Sequence, residues 1–233
     1  MLDETKAKER LAAVRERIER ACARSGRDPS SVTLVAVSKT HPASAVAAMA
    51  RAGQAVFGES YVQEALPKQD ELARLKLDWH FIGRLQKNKA KYVAGRFGLI
   101  HSVDSIELAR MLHKKSDFLG IVQRVLVQVN LGCESQKAGC SIDDTLPLAE
   151  AVAAMEGLAL TGVMLLPPWD ENPEANRGLF AQARELRAEL SARLRLPMPE
   201  LSMGMSHDLE QAVEEGATLV RVGTDLFGAR EPG

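Results

Sequence analysis

Two groups of residues carry the chain's chemistry. One is a lysine that closes an apolar run; the other is a set of hydroxyls and glycines some 160 positions further on. In TLVAVSK, Leu34, Val35, Ala36 and Val37 form an uncharged run, the pattern of a strand buried on both faces of a parallel sheet. Lys39 ends it, and a strand's carboxyl end is where α/β folds place their reactive groups. An amine that loses hydration there shifts toward its neutral, nucleophilic form, which condenses with an aldehyde to a Schiff base. The alternative is a lysine that merely snorkels into solvent at a strand end. Near the other end of the chain, ELSMGMSHD supplies Ser202, Gly204 and Ser206 ahead of a helix expected from Asp208. RVGTDLFG supplies Arg221, Gly223 and Thr224 at the close of a final strand. Amides freed at a helix start, hydroxyl donors and glycines that admit close approach are the parts of a phosphate cradle.

These groups can meet only if the elements between them bring them together. Strands are predicted at Thr33–Ser38, Ala55–Gly58, Trp79–Gly83, Leu99–Val103, Arg124–Asn130, Leu158–Met164, Glu200–Ser202 and Leu219–Gly223. Helices are predicted between them at Ala43–Ala52, Val62–Leu75, Gln86–Ala94, Ser105–Ser116, Ile142–Met155, Glu174–Leu194 and Asp208–Glu215. Regular alternation with right-handed crossovers implies a parallel sheet. Eight units in 233 residues favour a closed (β/α)8 barrel of α/β class. An open doubly wound sheet is the weaker alternative, because no GxGxxG follows the first strand. An opening helix over residues 1–26, with the apolar stripe Leu11, Val14, Ile18 and Cys22, packs on the barrel or plugs its end. Residues 1–233 are expected to form a single domain. In a closed barrel the first and eighth strands are neighbours, so Lys39 lies within a small molecule's length of the cradle. A reactive amine beside a phosphate grip describes a site for pyridoxal 5′-phosphate (PLP).

Composition narrows the class. A hydrophobic fraction of 45%, a charged fraction of 26% and a net charge of −1 are those of an ordinary globular protein with no global field for nucleic acid or an anionic membrane. No apolar run approaches a membrane span, and the charged, amphipathic N-terminus has no signal core. Cytoplasm is the expected location. The three cysteines, Cys22, Cys133 and Cys140, fit reduced thiols, and no His cluster accompanies them for a metal. Other strand ends are read more plainly. Glu59, Ser60 and Tyr61 put polar groups at the mouth, with Ser60 equally suited to capping a helix. His80 reads as a hydrogen-bonded core histidine, and Arg84, Lys87, Lys89 and Lys91 as a solvated helix face. Ser105 reads as an N-cap. Glu134 and Lys137 share a glycine-bounded loop, where a surface ion pair suffices. Met164 to Leu166 wall an apolar site or pack in the core.

The segments AVSKTHP, FGESYVQE, WHFIGRLQKNK, HSVDS, VNLGCESQKAG and SMGMSHDLEQAVEEGATLVRVGTDLFGAR resemble the successive motifs of the pyridoxal phosphate homeostasis protein family, from about Val32 to Arg230. The resemblance implies a PLP barrel of the alanine racemase type (fold type III), with Lys39 as the Schiff-base lysine. It also implies phosphate contacts from Ser202, Ser206, Gly223 and Thr224, and Arg221 near the pyridine nitrogen. The family usually carries Asn where this chain has Ser60, which shortens the reach of any polar contact there.

A fully charged arginine at the ring nitrogen favours an unprotonated ring, a poorer electron sink than one paired with a carboxylate. Racemisation needs a second acid/base on the opposite substrate face. In alanine racemase that is a tyrosine from a second domain of the partner subunit. The tyrosines here are Tyr61 and Tyr92; Tyr92 falls on a helix away from the strand ends, and Tyr61 is better suited to shaping the pocket. The expectation is a PLP carrier that buffers or delivers the cofactor, with apo PLP-dependent enzymes as recipients and no catalytic residue. A weak amino acid racemase is the alternative. Neither nucleic acid nor membrane is an expected partner, and a monomer is expected because the subunit contact of alanine racemase has no counterpart.

Overall fold

The computed structural model describes residues 2–132 and 138–229. Cys133, Glu134 and Lys137 lie outside the described residues. Eight parallel strands close into a barrel in sequence order. They are β1 (Thr33–Val37), β2 (Val56–Glu59), β3 (Asp78–Phe81), β4 (Leu99–Val103), β5 (Gln123–Val129), β6 (Leu158–Leu165), β7 (Glu200–Ser202) and β8 (Leu219–Val222). Closure is made by β1 against β8, with Val35 opposite Arg221 and Ala36 opposite Val222. The helices are α1 (Glu4–Ser25), α2 (Ala43–Arg51), α3 (Val62–Glu71), α4 (Ala90–Val93), α5 (Ile106–Leu119), α6 (Ile142–Ala153), α7 (Arg177–Leu194), α8 (Leu209–Glu214) and α9 (Thr224–Phe227).

Side chains on a strand alternate between faces, which sorts the barrel into two cores. Leu34, Ala36, Phe57, Phe81, Ile100 and Val127 point outward into the large core shared with the helices. Val35, Leu99, Leu126, Met164 and Leu219 point inward and form a second, smaller apolar cluster. The same parity along β1 carries Val35, Val37 and then Lys39 to the inside.

Helix α1 does not plug the barrel. Its stripe of Ala7, Leu11, Val14, Ile18, Ala21 and Cys22 is buried against α2, α8 and α9 on the outside. Asp3 caps its start, accepting from the Lys6 amide, and Gly26 ends it in the left-handed conformation. Ser105 caps α5 as expected, accepting from Leu108 N. The basic segment after β3 departs from the expected helix over Gln86–Ala94: it is a 3-10 turn at Lys87–Lys89 followed by the short α4. Helix α9 was not expected. Pro147 and Pro67 both sit inside helices, in the second turn of α6 and of α3, where each removes one intrahelical donor.

Candidate active-face cavity

A cavity of about 1420 Å³ opens at the carboxyl ends of the strands. Lys39, Ser206, Arg221, Gly223 and Thr224 all line it. Of the seven residues that the sequence assigns to the ligand, these five are brought together. Ser202 and Gly204 are not among the lining residues, and each has a different task. Ser202 Oγ is fully buried inside the barrel; it accepts from Arg221 Nη1 at 2.6 Å and lies 2.9 Å from His101 Nδ1. It stands behind Arg221. Gly204 has φ +86, and a Cβ there would lie 2.4 Å from Ala212 Cβ, so glycine is required for α8 to pack against the loop.

Arg221 is 4% exposed. Its Nη2 donates to Leu165 O at 2.9 Å, which with the Ser202 bond fixes the guanidinium plane. Burial pushes its pKa down to about 10, so it remains a cation at neutral pH. Gly223 packs on the β1 strand end: a Cβ there would sit 3.4 Å from both Val37 Cβ and Val37 O, in ordinary contact. That contact brings the β8 loop against the strand that carries Lys39. Thr224 follows in the first turn of α9, where helix geometry leaves backbone N–H groups without intrahelical acceptors.

The loops that carry these groups are held from outside. Arg17 of α1 donates to Glu210 at 2.6 and 2.7 Å, to Asp225 at 2.5 Å and to Ser206 O at 2.9 Å, tying the β7 and β8 loops to one guanidinium. Buried Asp208 accepts from Met205 N at 2.7 Å and from Asn176 Nδ2 at 3.1 Å. His41 stacks on Phe227 with ring centroids 5.0 Å apart.

Lys39 is itself bracketed by two pinned neighbours. Ser38 Oγ donates to Glu59 Oε1 at 2.7 Å, and Lys68 Nζ donates to both Ser38 O and Glu59 Oε1 at 2.8 Å. On the other side Thr40 N donates to Glu64 Oε2 at 2.8 Å, with Thr40 at φ +67. Glu59 therefore corrects one expectation. It does not face the mouth: Gly58 and Ser60 take the inward positions, which turns Glu59 outward, fully buried between β2 and α3. Burial raises its pKa, and Lys68 and Ser38 oppose that rise. Ser60 and Tyr61 do line the cavity, and Ser60 caps no helix, since Tyr61 occupies the N-cap position of α3 without a side-chain bond.

His80 is a buried, hydrogen-bonded core residue, as read. Arg84, Lys87 and Lys89 are not only a solvated face, for they border the cavity mouth. Met164 and Leu166 line its wall, and Met164 also belongs to the inner apolar cluster. Cys22 and Cys140 are free and buried, and among the described residues no His/Cys/Asp/Glu group could hold a metal ion. No helix of the described residues is long and apolar enough to cross a membrane. The donor set suits a phosphorylated aromatic aldehyde: a lysine for the aldehyde, hydroxyls and a glycine-opened loop for the phosphate, and a buried cation for the ring.

Comparison with known proteins places the chain in a family. The family described as "Alanine racemase, N-terminal domain" matches residues 10–231. The pyridoxal phosphate homeostasis protein of Aquifex aeolicus is 46% identical over 223 residues, covering 96% of this chain and 98% of that protein. The protein of the same name from Pseudomonas aeruginosa is 47% identical over 225 residues, covering 97% and 96%. The structure of PipY from Synechococcus elongatus, solved with PLP bound, superimposes with a TM-score of 0.85 at 42% identity, covering 95% of this chain and 100% of that one. The chain thus belongs to the pyridoxal phosphate homeostasis proteins, within the alanine racemase N-terminal domain family.

Proposed function

We propose that the protein binds PLP at the carboxyl face of the barrel, held covalently through Lys39, and that it buffers or delivers the cofactor within the cell without turning over a substrate. The observation that carries this reading is that Lys39 from β1 and Ser206, Arg221, Gly223 and Thr224 from the β7 and β8 ends line one cavity. When bound, PLP supplies an aldehyde that condenses with a primary amine and releases water, a link that a second amine can exchange. The chain's own groups divide the remaining work. Ser206, Gly223 and Thr224 hold the phosphate. Arg221 keeps a permanent N–H donor toward the ring nitrogen, which holds that nitrogen unprotonated and limits its capacity as an electron sink.

The carrier reading is favoured over a racemase by the mouth of the cavity. Among the described lining residues Tyr61 is the one tyrosine, and it is 52% exposed. A proton donor so open to water is poorly suited to sequestered acid/base chemistry. Tyr92, on α4, does not line the cavity.

The test has two parts. Borohydride reduction of PLP-loaded protein followed by mass mapping is expected to find the adduct on Lys39, and Lys39→Ala is expected to lose it. Protein loaded with PLP is expected to activate an apo PLP-dependent enzyme faster than free PLP at the same concentration. An adduct on another lysine refutes the site; activation no faster than free PLP refutes delivery. Solvent deuterium entering the α-carbon of an amino acid at turnover rates would move the conclusion to the racemase.

A further inference from the structure

The barrel interior is not wholly apolar. From the cavity downward runs an unbroken series of polar side chains on four neighbouring or facing strands. Arg221 Nη1 lies 2.6 Å from Ser202 Oγ, Ser202 Oγ lies 2.9 Å from His101 Nδ1, and His101 Nε2 lies 3.0 Å from His80 Nδ1. His80 Nε2 then lies 3.4 Å from Asp78 Oδ2 at the amino-terminal end of β3. His80, His101 and Ser202 are 4%, 0% and 0% exposed, whereas the Asp78 side chain is 49% exposed at the opposite mouth from the cavity. Gly98 makes room for that carboxylate, since a Cβ there would lie 2.2 Å from Asp78 Oδ1.

The chemistry of the ends, together with a neutral His101 that accepts from the Ser202 hydroxyl, gives the series one direction. A carboxylate only accepts, so His80 Nε2 carries the proton that faces Asp78. A neutral His101 whose Nδ1 accepts carries its own proton on Nε2, which donates to His80 Nδ1. The Ser202 hydroxyl fills the His101 Nδ1 acceptor. Ser202 Oγ, with its own proton spent, accepts from Arg221, which can only donate. Every link thus runs from the cavity cation to the far carboxylate, and each ring nitrogen of His80 and His101 has one partner in the series. The surroundings keep His101 neutral: it is fully buried, and the cations Arg221 and Arg124 disfavour a second charge beside them. At the lower mouth Arg124 is paired with Glu200 at 2.8 Å and acts on both Asp78 and His101.

We infer that Asp78, His80, His101 and Ser202 form a one-directional hydrogen-bonded relay through the barrel that positions the Arg221 guanidinium at the ligand cavity; the significance for the ligand rests on the reading of Arg221 as the group facing the bound ring. These four are positioning residues. None of Asp78, His80, His101 and Ser202 lines the cavity, so each acts on the ligand only through Arg221.

Side-chain 15N NMR of the protein without PLP tests the relay independently of cofactor binding. His101 is expected as the neutral Nε2–H tautomer, coupled to His80 Nδ1 as its acceptor. A His101 Nδ1–H tautomer, or a His101 that titrates like an exposed histidine, overturns the inference whatever the fate of the PLP reading. The consequence for the ligand is read with Asp78→Ala, which removes the terminal acceptor at a half-exposed site remote from the cavity. PLP release is expected to quicken about three- to tenfold, the effect of one hydrogen bond, with a shift of the visible band. Asp78→Asn, which keeps an acceptor oxygen, is expected to restore most of both. Gly98→Ala, which displaces the carboxylate, is expected to resemble Asp78→Ala. Unchanged release and band in both Asp78→Ala and Gly98→Ala, in folded protein, would overturn the positioning role. A protein that took up no PLP at all would sink the functional reading while leaving the tautomer result to stand or fall by itself.

Discussion

Replacing Lys68 by methionine, which keeps the length of the side chain and removes its charge, tests how Lys39 is held in place. In the folded protein Lys68 Nζ donates to Ser38 O and to Glu59 Oε1, both at 2.8 Å, from a side chain 10% exposed to a carboxylate that is not exposed at all. Removing one partner of such a buried pair costs about 3–5 kcal/mol, because the other charge is left without compensation. Here the lower end is expected, since Ser38 Oγ still donates to Glu59 Oε1 and the carboxyl can take up a proton. The pH dependence follows from the same group. Burial already raises the folded-state pKa of Glu59 above its ordinary value of 4.5, and losing Lys68 raises it further. The folded state then binds more protons than the unfolded state between 4.5 and the raised pKa, so stability falls as pH rises through that window and is regained toward acid. The assay is urea unfolding of Lys68→Met across pH 4.5–8, with PLP release measured in parallel. At neutral pH a loss of about 3 kcal/mol is expected, with a smaller loss near pH 4.5 and quicker PLP release. Adding Glu59→Gln removes the stranded charge, so the double variant should be more stable at neutral pH than Lys68→Met alone. A single variant within about 0.5 kcal/mol of the parent, the range of a neutral surface change, and with unaltered PLP release would refute both the buried pair and its hold on Lys39.

Two further predictions concern the phosphate side. Ser206→Ala and Thr224→Ala are each expected to weaken PLP retention by about 1–2 kcal/mol, the value of a charge-assisted hydrogen bond, with circular dichroism and unfolding midpoint unchanged. Equal dissociation rates in both variants and the parent would remove those hydroxyls from the site. Arg17→Ala strips the ties to Glu210, Asp225 and Ser206 O, and is expected to cost about 1–3 kcal/mol of stability and to quicken PLP release although Arg17 lies outside the cavity. Unfolding that moves while release does not would make Arg17 a purely structural residue.

The barrel and the cavity's main residues were legible because each rests on local pattern. Uncharged runs mark strands buried on both faces, the 3.6-residue stripes mark their helices, and a residue at a strand's carboxyl end reaches the same mouth whatever its position in the chain. The strand bounds at Leu99–Val103 and Glu200–Ser202 are those expected. What was not legible depends on side-chain direction and distant partners. Glu59 looked like a mouth residue until the parity set by Gly58 and Ser60 turned it to the helix layer. Lys68 gave no sign of itself beyond lying four positions after Glu64 on α3, and Arg17 was one of many charges on α1. The relay had a signal that went unread: His80 and His101 each fall on an inward parity position in adjacent strands, and Ser202 does so in β7. Ser202 consequently stands behind the cavity, and the phosphate-cradle reading of the SMGMSHD turn narrows to Ser206.

The tether formed by Arg17 has a kinetic corollary. Its partners lie 189, 193 and 208 positions away along the chain, among the most distant pairs the polypeptide can make. Contacts of such span reward folding only after the entropy of closing nearly the entire loop has been met. The β7 and β8 loops are therefore expected to consolidate late in folding, together with the closure of β1 on β8, and a nascent chain lacking α8 and α9 would present Lys39 without Thr224.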